Sequence, residues 1–279
     1  MKILISLSNF DYLSGSPMYS YELSRQLVLM GHEVSILSKL GGILPERARL
    51  NGVKVYDFSN PPQKEFDVLH LNQFDPAKFC LDRYDAPAIM SIHSEWHYET
   101  PYRHKNIKKY IAIRPSIKEK LEKEYGIDNV VVIYNGIDFN RFKLSPLPEK
   151  EKILFVGTID HLREKAAKDI LTKGKDVLFV GDKFATWADS LPPHGGYLPP
   201  RFDTEELIKD CTATAGIMLG RTTIEGWACG RGGYIYDIDL EGNIKSVDFY
   251  NPPENMERFN IIKVAEQIEK EYALICGKH

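Results

Sequence analysis

Gly220-Arg221-Thr222-Thr223-Ile224-Glu225 is the stretch whose residue types and spacing best suit chemistry. The apolar run Thr214-Ala215-Gly216-Ile217-Met218-Leu219 leads in, and Gly233-Tyr234-Ile235-Tyr236-Asp237 follows. That is the strand, turn, short helix and strand of a parallel βαβ unit. Gly220 permits a tight turn and close backbone approach. Thr222 or Thr223 is placed to cap the helix, so that its first free N–H groups face the crevice at the strand ends and favour an anion, often a phosphate. Glu225 sits in the first turn, near enough to accept hydrogen bonds from sugar hydroxyls. An ordinary α/β turn with a dipole-friendly glutamate accounts for the same residues equally well.

A second candidate is His93, in Ser91-Ile92-His93-Ser94 at the carboxyl end of an apolar strand, where doubly wound sheets bind ligands. A lone histidine is more often structural, and its position is what raises the functional reading. His93, Glu95 and His97 alternate, but this is not the His-Glu-x-x-His pattern, so no metal is assigned. The four cysteines, Cys80, Cys211, Cys229 and Cys276, have neither metal spacing nor a disulfide framework. They imply a reducing, cytoplasmic setting.

The elements that must position these residues alternate along the chain. Lys2 to Leu7 reads as a buried strand and is too short for a signal peptide. A loop from Ser8 to Gly15 follows, then a helix with Ser16 as N-cap and Pro17 at its first position. Strands fit Glu33 to Leu37, Val53 to Tyr56, Asp67 to Leu71, Ala88 to Ile92, Tyr110 to Ile113 and Val130 to Tyr134. After the polar, proline-rich Ser145 to Lys150 the pattern restarts with strands at Lys152 to Gly157 and Asp176 to Gly181. Two α/β domains are implied, 1–144 and 145–279, with a C-terminal helix at about 260–275.

The segment Ile224-Glu225-Gly226-Trp227-Ala228-Cys229-Gly230 resembles the Leu-Glu-Ala-Met-Ala-Cys-Gly signature of family 4 retaining GT-B glycosyltransferases (group 1). Asn135-Gly136-Ile137-Asp138 is similar to the Asn-Gly-Val-Asp at that family's domain junction. The resemblance implies two Rossmann-like domains facing a cleft, a compact GT-B fold, with the C-terminal helix packed back on the first domain. It implies transfer of a sugar from a nucleoside-diphosphate sugar to an acceptor hydroxyl, with retention and without a metal. Glu225 would bind the ribose hydroxyls, and Gly220, Arg221, Thr222 and Thr223 the diphosphate. His93 would face the donor sugar. Gly15 and Ser16 stand where the family has adjacent glycines near the donor phosphate, and Tyr197 and Leu198 match the strand whose backbone reads the base. Lys165 falls within one residue of the family lysine that stabilises the leaving phosphates. The family arginine is replaced by Thr158; Arg163 or Arg221 would have to supply its charge. A family glutamate eight positions before Glu225 is Ile217 here. These two departures motivate an alternative, a non-catalytic homologue that binds a nucleotide-sugar.

No cofactor is expected beyond the donor substrate, for which a UDP-sugar is the expectation. No residue pattern selects the acceptor, whether glycan, lipid or small molecule. With net charge −3, 43% hydrophobic and 27% charged residues, the chain has no global attraction for nucleic acid. Arg103, Lys105, Lys108, Lys109, Arg114 and Lys118 form a basic stretch, read first as solvated surface and second as a contact for an anionic acceptor or a membrane face. The Gly-x-Gly-x-x-Gly fingerprint of dinucleotide binding is absent after the first strand.

Overall fold

The computed structural model describes residues 1–95, 99–173 and 175–277; His97 lies outside them. The chain divides into two compact units. One consists of Met1–Tyr12, Ser16–Gly136 and Arg258–His279, the other of Leu13–Gly15 and Ile137–Glu257.

The first unit is built on β1 (Lys2–Phe10), β2 (Glu33–Leu40), β3 (Lys54–Tyr56), β4 (Val68–Asn72), β5 (Ala88–Ile92), β6 (Ile107–Ala112) and β7 (Val130–Val132). They form one sheet in the order β3-β2-β1-β4-β5-β6-β7, every described pair parallel. Strands β4 and β5 are buried at every position, as expected where helices cover both faces of a parallel sheet. The helices are α1 (Gly15–Leu29), α2 (Leu44–Leu50), α3 (Phe74–Leu81) and α4 (Pro115–Lys123). In α4 the proline occupies the first turn, where its missing N–H costs nothing, and Ile117 and Leu121, one turn apart, are its buried residues. α1 begins at Gly15, so Ser16 lies inside its first turn rather than capping it.

The second unit carries β8 (Lys152–Val156), α5 (Glu164–Thr172), β9 (Asp176–Val180), β10 (Gly195–Leu198), α6 (Thr204–Lys209), β11 (Ala213–Ile217), α7 (Arg221–Ala228), β12 (Gly232–Ile238) and β13 (Ile244–Tyr250). Its sheet runs β10-β9-β8-β11-β12-β13 and is parallel except for β13, which pairs antiparallel with β12. The chain then returns to the first unit through α8 (Ile261–Ile275), capped by Asn260, whose side chain accepts from the Ile262 N–H at 3.1 Å.

The division falls at Gly136–Ile137, ahead of the Leu144 of the sequence reading. The intervening residues are fastened to the second unit. Arg141 donates to the Phe202 carbonyl and to Glu205 Oε2, both at 2.6 Å. The Ser145 and Pro146 carbonyls accept from Arg231. At the other end, α8 is keyed to the first unit: Tyr272 Oη lies 2.6 Å from His70 Nδ1, and His32 Nε2 lies 2.8 Å from Glu269 Oε1.

Strand order reverses between β1 and β4 in one sheet and between β8 and β11 in the other. The carboxyl ends of those strands are where an open α/β sheet opens a ligand crevice.

Candidate functional site

In the second unit, β8 and β11 are neighbours, so the turns that leave them share one edge. Helix α7 starts at this edge. Its N-cap is Gly220, in extended conformation with φ −103° and ψ 177°, and no side chain caps it. This corrects the expectation of a threonine cap. Thr222 and Thr223 lie in the first helical turn, and Thr223 is buried against Gly233. A helix capped by glycine leaves the N–H groups of its first turn without a side-chain acceptor from the cap residue.

Glu225 is 4% exposed. Its Oε1 lies 2.6 Å from Arg221 Nε, and Thr204 Oγ1 donates to its Oε2 at 3.5 Å. The carboxylate is therefore held by an ion pair along its own helix, a contact the sequence analysis did not foresee.

Gly157 follows β8, and Arg163 reaches back over it: a Cβ built on Gly157 would lie 3.2 Å from Arg163 Nε. Asp160 fixes this arrangement. Its Oδ1 accepts from the Arg163 N–H at 3.0 Å and its Oδ2 pairs with the guanidinium. Thr158 is half-buried beside them. Lys165 is exposed on the first turn of α5 and donates to Asn243 Oδ1, in the β12–β13 connection. Of the two arginines left open by sequence, Arg163 lies over the Gly157 turn, and Arg221 is engaged with Glu225. Tyr197 donates its hydroxyl to the Gly181 carbonyl at 3.0 Å, and the Leu198 carbonyl accepts from the Gly181 N–H at 3.2 Å. Both residues thus line the turn after β9. A side chain at Gly181 would sit 1.9 Å from the Gly157 carbonyl oxygen, so only glycine lets these two backbones approach.

In the first unit, His93 follows β5. Asn72 donates Nδ2–H to the Ser6 carbonyl at 2.9 Å, which turns its Oδ1 toward His93 Nε2, 2.7 Å away. Nε2 therefore carries the proton and Nδ1 is an acceptor. Burial, with Arg114 nearby, lowers the His93 pKa to about 4, so the ring is neutral. Ser16 Oγ accepts from Gln73 Nε2 at 3.3 Å, and Gln73 Oε1 accepts from the Ser8 N–H at 3.1 Å, tying the β1–α1 turn to the end of β4. Gly15 is exposed, with nothing within 4 Å of a built Cβ.

Gln73 and Met218 are the two non-glycine residues with positive φ among the described residues, at 60° and 55°. Each directly follows the strand beside its sheet's reversal point, β4 in one unit and β11 in the other. Such conformations cost roughly 1–3 kcal/mol each and concentrate at functional turns. The sequence analysis missed both, along with Asp160 and Asn72. Strain and long-range hydrogen bonds leave no local pattern.

Among the described residues no three His, Cys, Asp or Glu side chains converge as metal ligands, and no helix is long and apolar enough to cross a membrane. The basic stretch is partly neutralised by Arg114–Glu95, Lys109–Glu271 and Lys118–Glu122. Arg103 and Lys105 line a groove of about 650 Å³ at the amino ends of β6 and β7, away from the ligand edge.

Residues 62–141 match the family described as Glycosyltransferase Family 4. No curated protein matches the sequence. Among solved structures, a glycosyltransferase from Rickettsia africae ESF-5 is similar over 100% of this chain and 99% of its own, at 15% identity and a TM-score of 0.71. Anabaena Alr3699/HepE in complex with UDP and glucose aligns over 98% of this chain and 99% of its own, at 15% identity and a TM-score of 0.71. AviGT4, a glycosyltransferase involved in avilamycin A biosynthesis, aligns over 100% and 99%, at 13% identity and a TM-score of 0.64. At these identities the likeness is one of fold. Two parallel-dominated α/β units and this likeness give the chain the GT-B fold, and its residues 62–141 are similar to Glycosyltransferase Family 4.

Proposed function

We propose that the protein is a glycosyltransferase that moves a sugar from a nucleoside-diphosphate sugar to an acceptor hydroxyl, with retention and without a metal. One observation carries the reading. The turn after β8, with Arg163 over Gly157, and the glycine-capped start of α7 lie at one sheet edge. That edge offers backbone N–H groups and a guanidinium to the two phosphates of a leaving nucleoside diphosphate, whose negative charge grows in the transition state. Arg163 takes the place of the family arginine that Thr158 lacks, and Lys165 adds charge beside it. Glu225, oriented by Arg221, takes the ribose hydroxyls, and Tyr197 and Leu198 border the base. The leaving phosphate assists the incoming hydroxyl on the same face, which suits an edge rich in phosphate donors. A UDP-sugar is the favoured donor, because Anabaena Alr3699/HepE, similar in fold, is described in complex with UDP-glucose.

The test is a thermal-shift panel with UDP, GDP, ADP, dTDP and their sugar conjugates on wild type and Glu225→Ala, each read against its own ligand-free midpoint. A ligand at 100 times its dissociation constant adds about 2.7 kcal/mol of stability. A shift with UDP that Glu225→Ala loses is the expected result. No shift with any nucleotide overturns the reading. Ile217 and Thr158 favour one other reading, a nucleotide-sugar-binding homologue without turnover; donor hydrolysis by the purified protein rules it out.

A further inference from the structure

Two cations of the basic stretch, Arg103 and Lys105, make no ion pair and no side-chain hydrogen bond among the described residues, whereas Arg114, Lys109 and Lys118 pair with Glu95, Glu271 and Glu122. These two, with His104 between them, line the groove of about 650 Å³ at the amino ends of β6 and β7. Their segment is held at several points. Tyr110 Oη donates to the Tyr102 carbonyl at 2.7 Å, Lys108 Nζ to the Lys105 carbonyl at 2.8 Å, and Asn106 Nδ2 to Asp85 Oδ1 at 3.1 Å. His104 Nδ1 accepts from the Asn106 backbone N–H at 3.2 Å, so the proton of the neutral ring lies on Nε2. The groove is therefore lined by a guanidinium, an ammonium and an imidazole N–H, all donors.

The opposing groups are few. Asp128 is the one carboxylate that lines the groove, against two permanent cations. The end of α4 also borders it, but carbonyls there are spent within the fold: Glu122 accepts from the Gly126 N–H at 3.2 Å and Leu121 from the Ile127 N–H at 3.0 Å. Ile107 and Ile127, 6% and 5% exposed, add apolar surface to the lining. The volume falls within the roughly 300–1,000 Å³ of small-molecule sites, more than a bare inorganic anion fills. A phosphate group suits this donor set, because a guanidinium takes two of its oxygens at once and the ammonium and imidazole N–H remain for the third.

We propose that this groove is a second binding site, for a phosphate monoester of a small soluble molecule, with the phosphate on Arg103, His104 and Lys105 and the body of the molecule against Ile107 and Ile127. The site is separate from the ligand edge. Strand β6 has 6 residues, and at about 3.3 Å per residue it sets roughly 20 Å between the groove and its carboxyl end, so the phosphate held here is not the donor's. A flat anionic membrane would face Asp128 as well as the cations, whereas a single phosphate group fits to one side of it. The proposal does not rest on the glycosyltransferase reading.

The experiment is calorimetric titration of the full chain at about 0.15 M salt, where exposed charges farther than roughly 8 Å are screened. The probes are phenyl phosphate, glucose 6-phosphate and inorganic phosphate, each with and without an excess of UDP. An ester is expected to bind saturably, more tightly than inorganic phosphate, and equally well beside UDP. Arg103→Gln is expected to weaken it at least about tenfold, the loss of a charge-assisted hydrogen bond. Lys2→Gln makes the same charge change at the amino end of β1, outside the groove, and is expected to leave affinity unchanged. Both replaced side chains are exposed, and unchanged thermal midpoints confirm that the variants fold. No saturable binding of either ester at millimolar concentration overturns the proposal. So does displacement by UDP, which assigns the ester to the donor edge, or equal weakening in both variants, which assigns it to diffuse charge. Binding to phosphatidylcholine vesicles containing phosphatidic acid, lost in Arg103→Gln, with no binding of a soluble ester, assigns the groove to a membrane face and overturns it too. Failure of the nucleotide thermal-shift test leaves this proposal standing, and failure here leaves the glycosyltransferase reading standing.

Discussion

Arg221 Nε and Glu225 Oε1 lie 2.6 Å apart, one turn along α7, with side chains 9% and 5% exposed. A buried pair contributes little compared with well-packed apolar residues, but removing one partner strands the other charge at a cost of roughly 3–5 kcal/mol. Glu225→Ala is therefore expected to lower stability by that order, and Arg221→Met with Glu225→Leu to recover most of it. Urea denaturation of the three proteins checks this. Neither variant is expected to respond to UDP, since the carboxylate proposed for the ribose is gone from both. A Glu225→Ala as stable as wild type would mean the pair is not part of the folded state's balance.

Arg231 is fully buried, and its hydrogen-bond partners among the described residues are backbone carbonyls. Its guanidinium donates to six, those of Ser145, Pro146, Ile208, Lys209, Cys211 and Cys229. The incoming chain, the end of α6 and the end of α7 converge on one side chain. A lysine has three donors and no planar fork, so it cannot satisfy this set. Arg231→Lys is expected to destabilise by about 2–4 kcal/mol, through carbonyls left buried and unpaired. Its urea midpoint, compared with that of a surface control such as Lys168→Arg, reads the effect.

Gly226 stands where the resembling signature has alanine, and the structure gives the reason. A Cβ there would meet Thr214 Cγ2 at 2.6 Å and Oγ1 at 2.8 Å. Thr214 lies on β11, against which α7 packs, and its Oγ1 is buried and unpaired. Gly226→Ala is expected to cost about 1–3 kcal/mol through overpacking. Thr214→Ala removes the clashing atoms, so the double variant is expected to be more stable than Gly226→Ala alone. Additive losses in the double-mutant cycle would overturn the packing account.

The parts of this fold written locally were readable in sequence. Apolar residues near helical spacing from Ile262 to Ile275 marked α8, and Gly220 between two apolar runs marked the βα turn. Strand β13 was not read, because Lys245, Ser246 and Asp248 leave no apolar alternation and its pairing with β12 is a tertiary fact. The start of α7 was read two or three residues late. Threonine is a good cap by propensity, but Gly220 takes the position and Thr223 is needed inside, against Gly233. Of the candidate site, Glu225, Arg163 and His93 were named from short motifs. Arg221 was named for the diphosphate and not as the partner of Glu225, and the partners Asp160 and Asn72 were not named, although Asp160 lies three residues from Arg163. Whether a neighbouring charge pairs or faces solvent depends on burial, which one segment does not specify.

The buried groups of the first unit set opposing pH dependences. Burial lowers the His70 pKa to about 3 and the His93 pKa to about 4, from 6.5. The unfolded chain then takes up protons that the folded one refuses, so this stability is complete above pH 6.5 and is lost as pH falls toward those values. Glu99 acts in the opposite sense. Burial raises its pKa from 4.5 to about 7, so the folded carboxyl holds a proton that the unfolded one releases. Its contribution is complete below pH 4.5 and is lost as pH rises to about 7. Each group contributes a slope of about 1.4 kcal/mol per pH unit within its window. Between pH 4.5 and 6.5 the two histidines outweigh the one glutamate, so stability is expected to rise with pH, and above 6.5 the Glu99 loss alone remains. Glu99→Gln removes the opposing group. Relative to wild type, its stability is expected to gain about 1.4 kcal/mol per pH unit from pH 4.5 to 7, with other titrating groups cancelling in the difference. Urea unfolding of both proteins at half-unit steps reads that difference directly. A constant offset across the range would mean that Glu99 ionises in the folded protein as it does in the unfolded chain, and that its carboxyl is open to water.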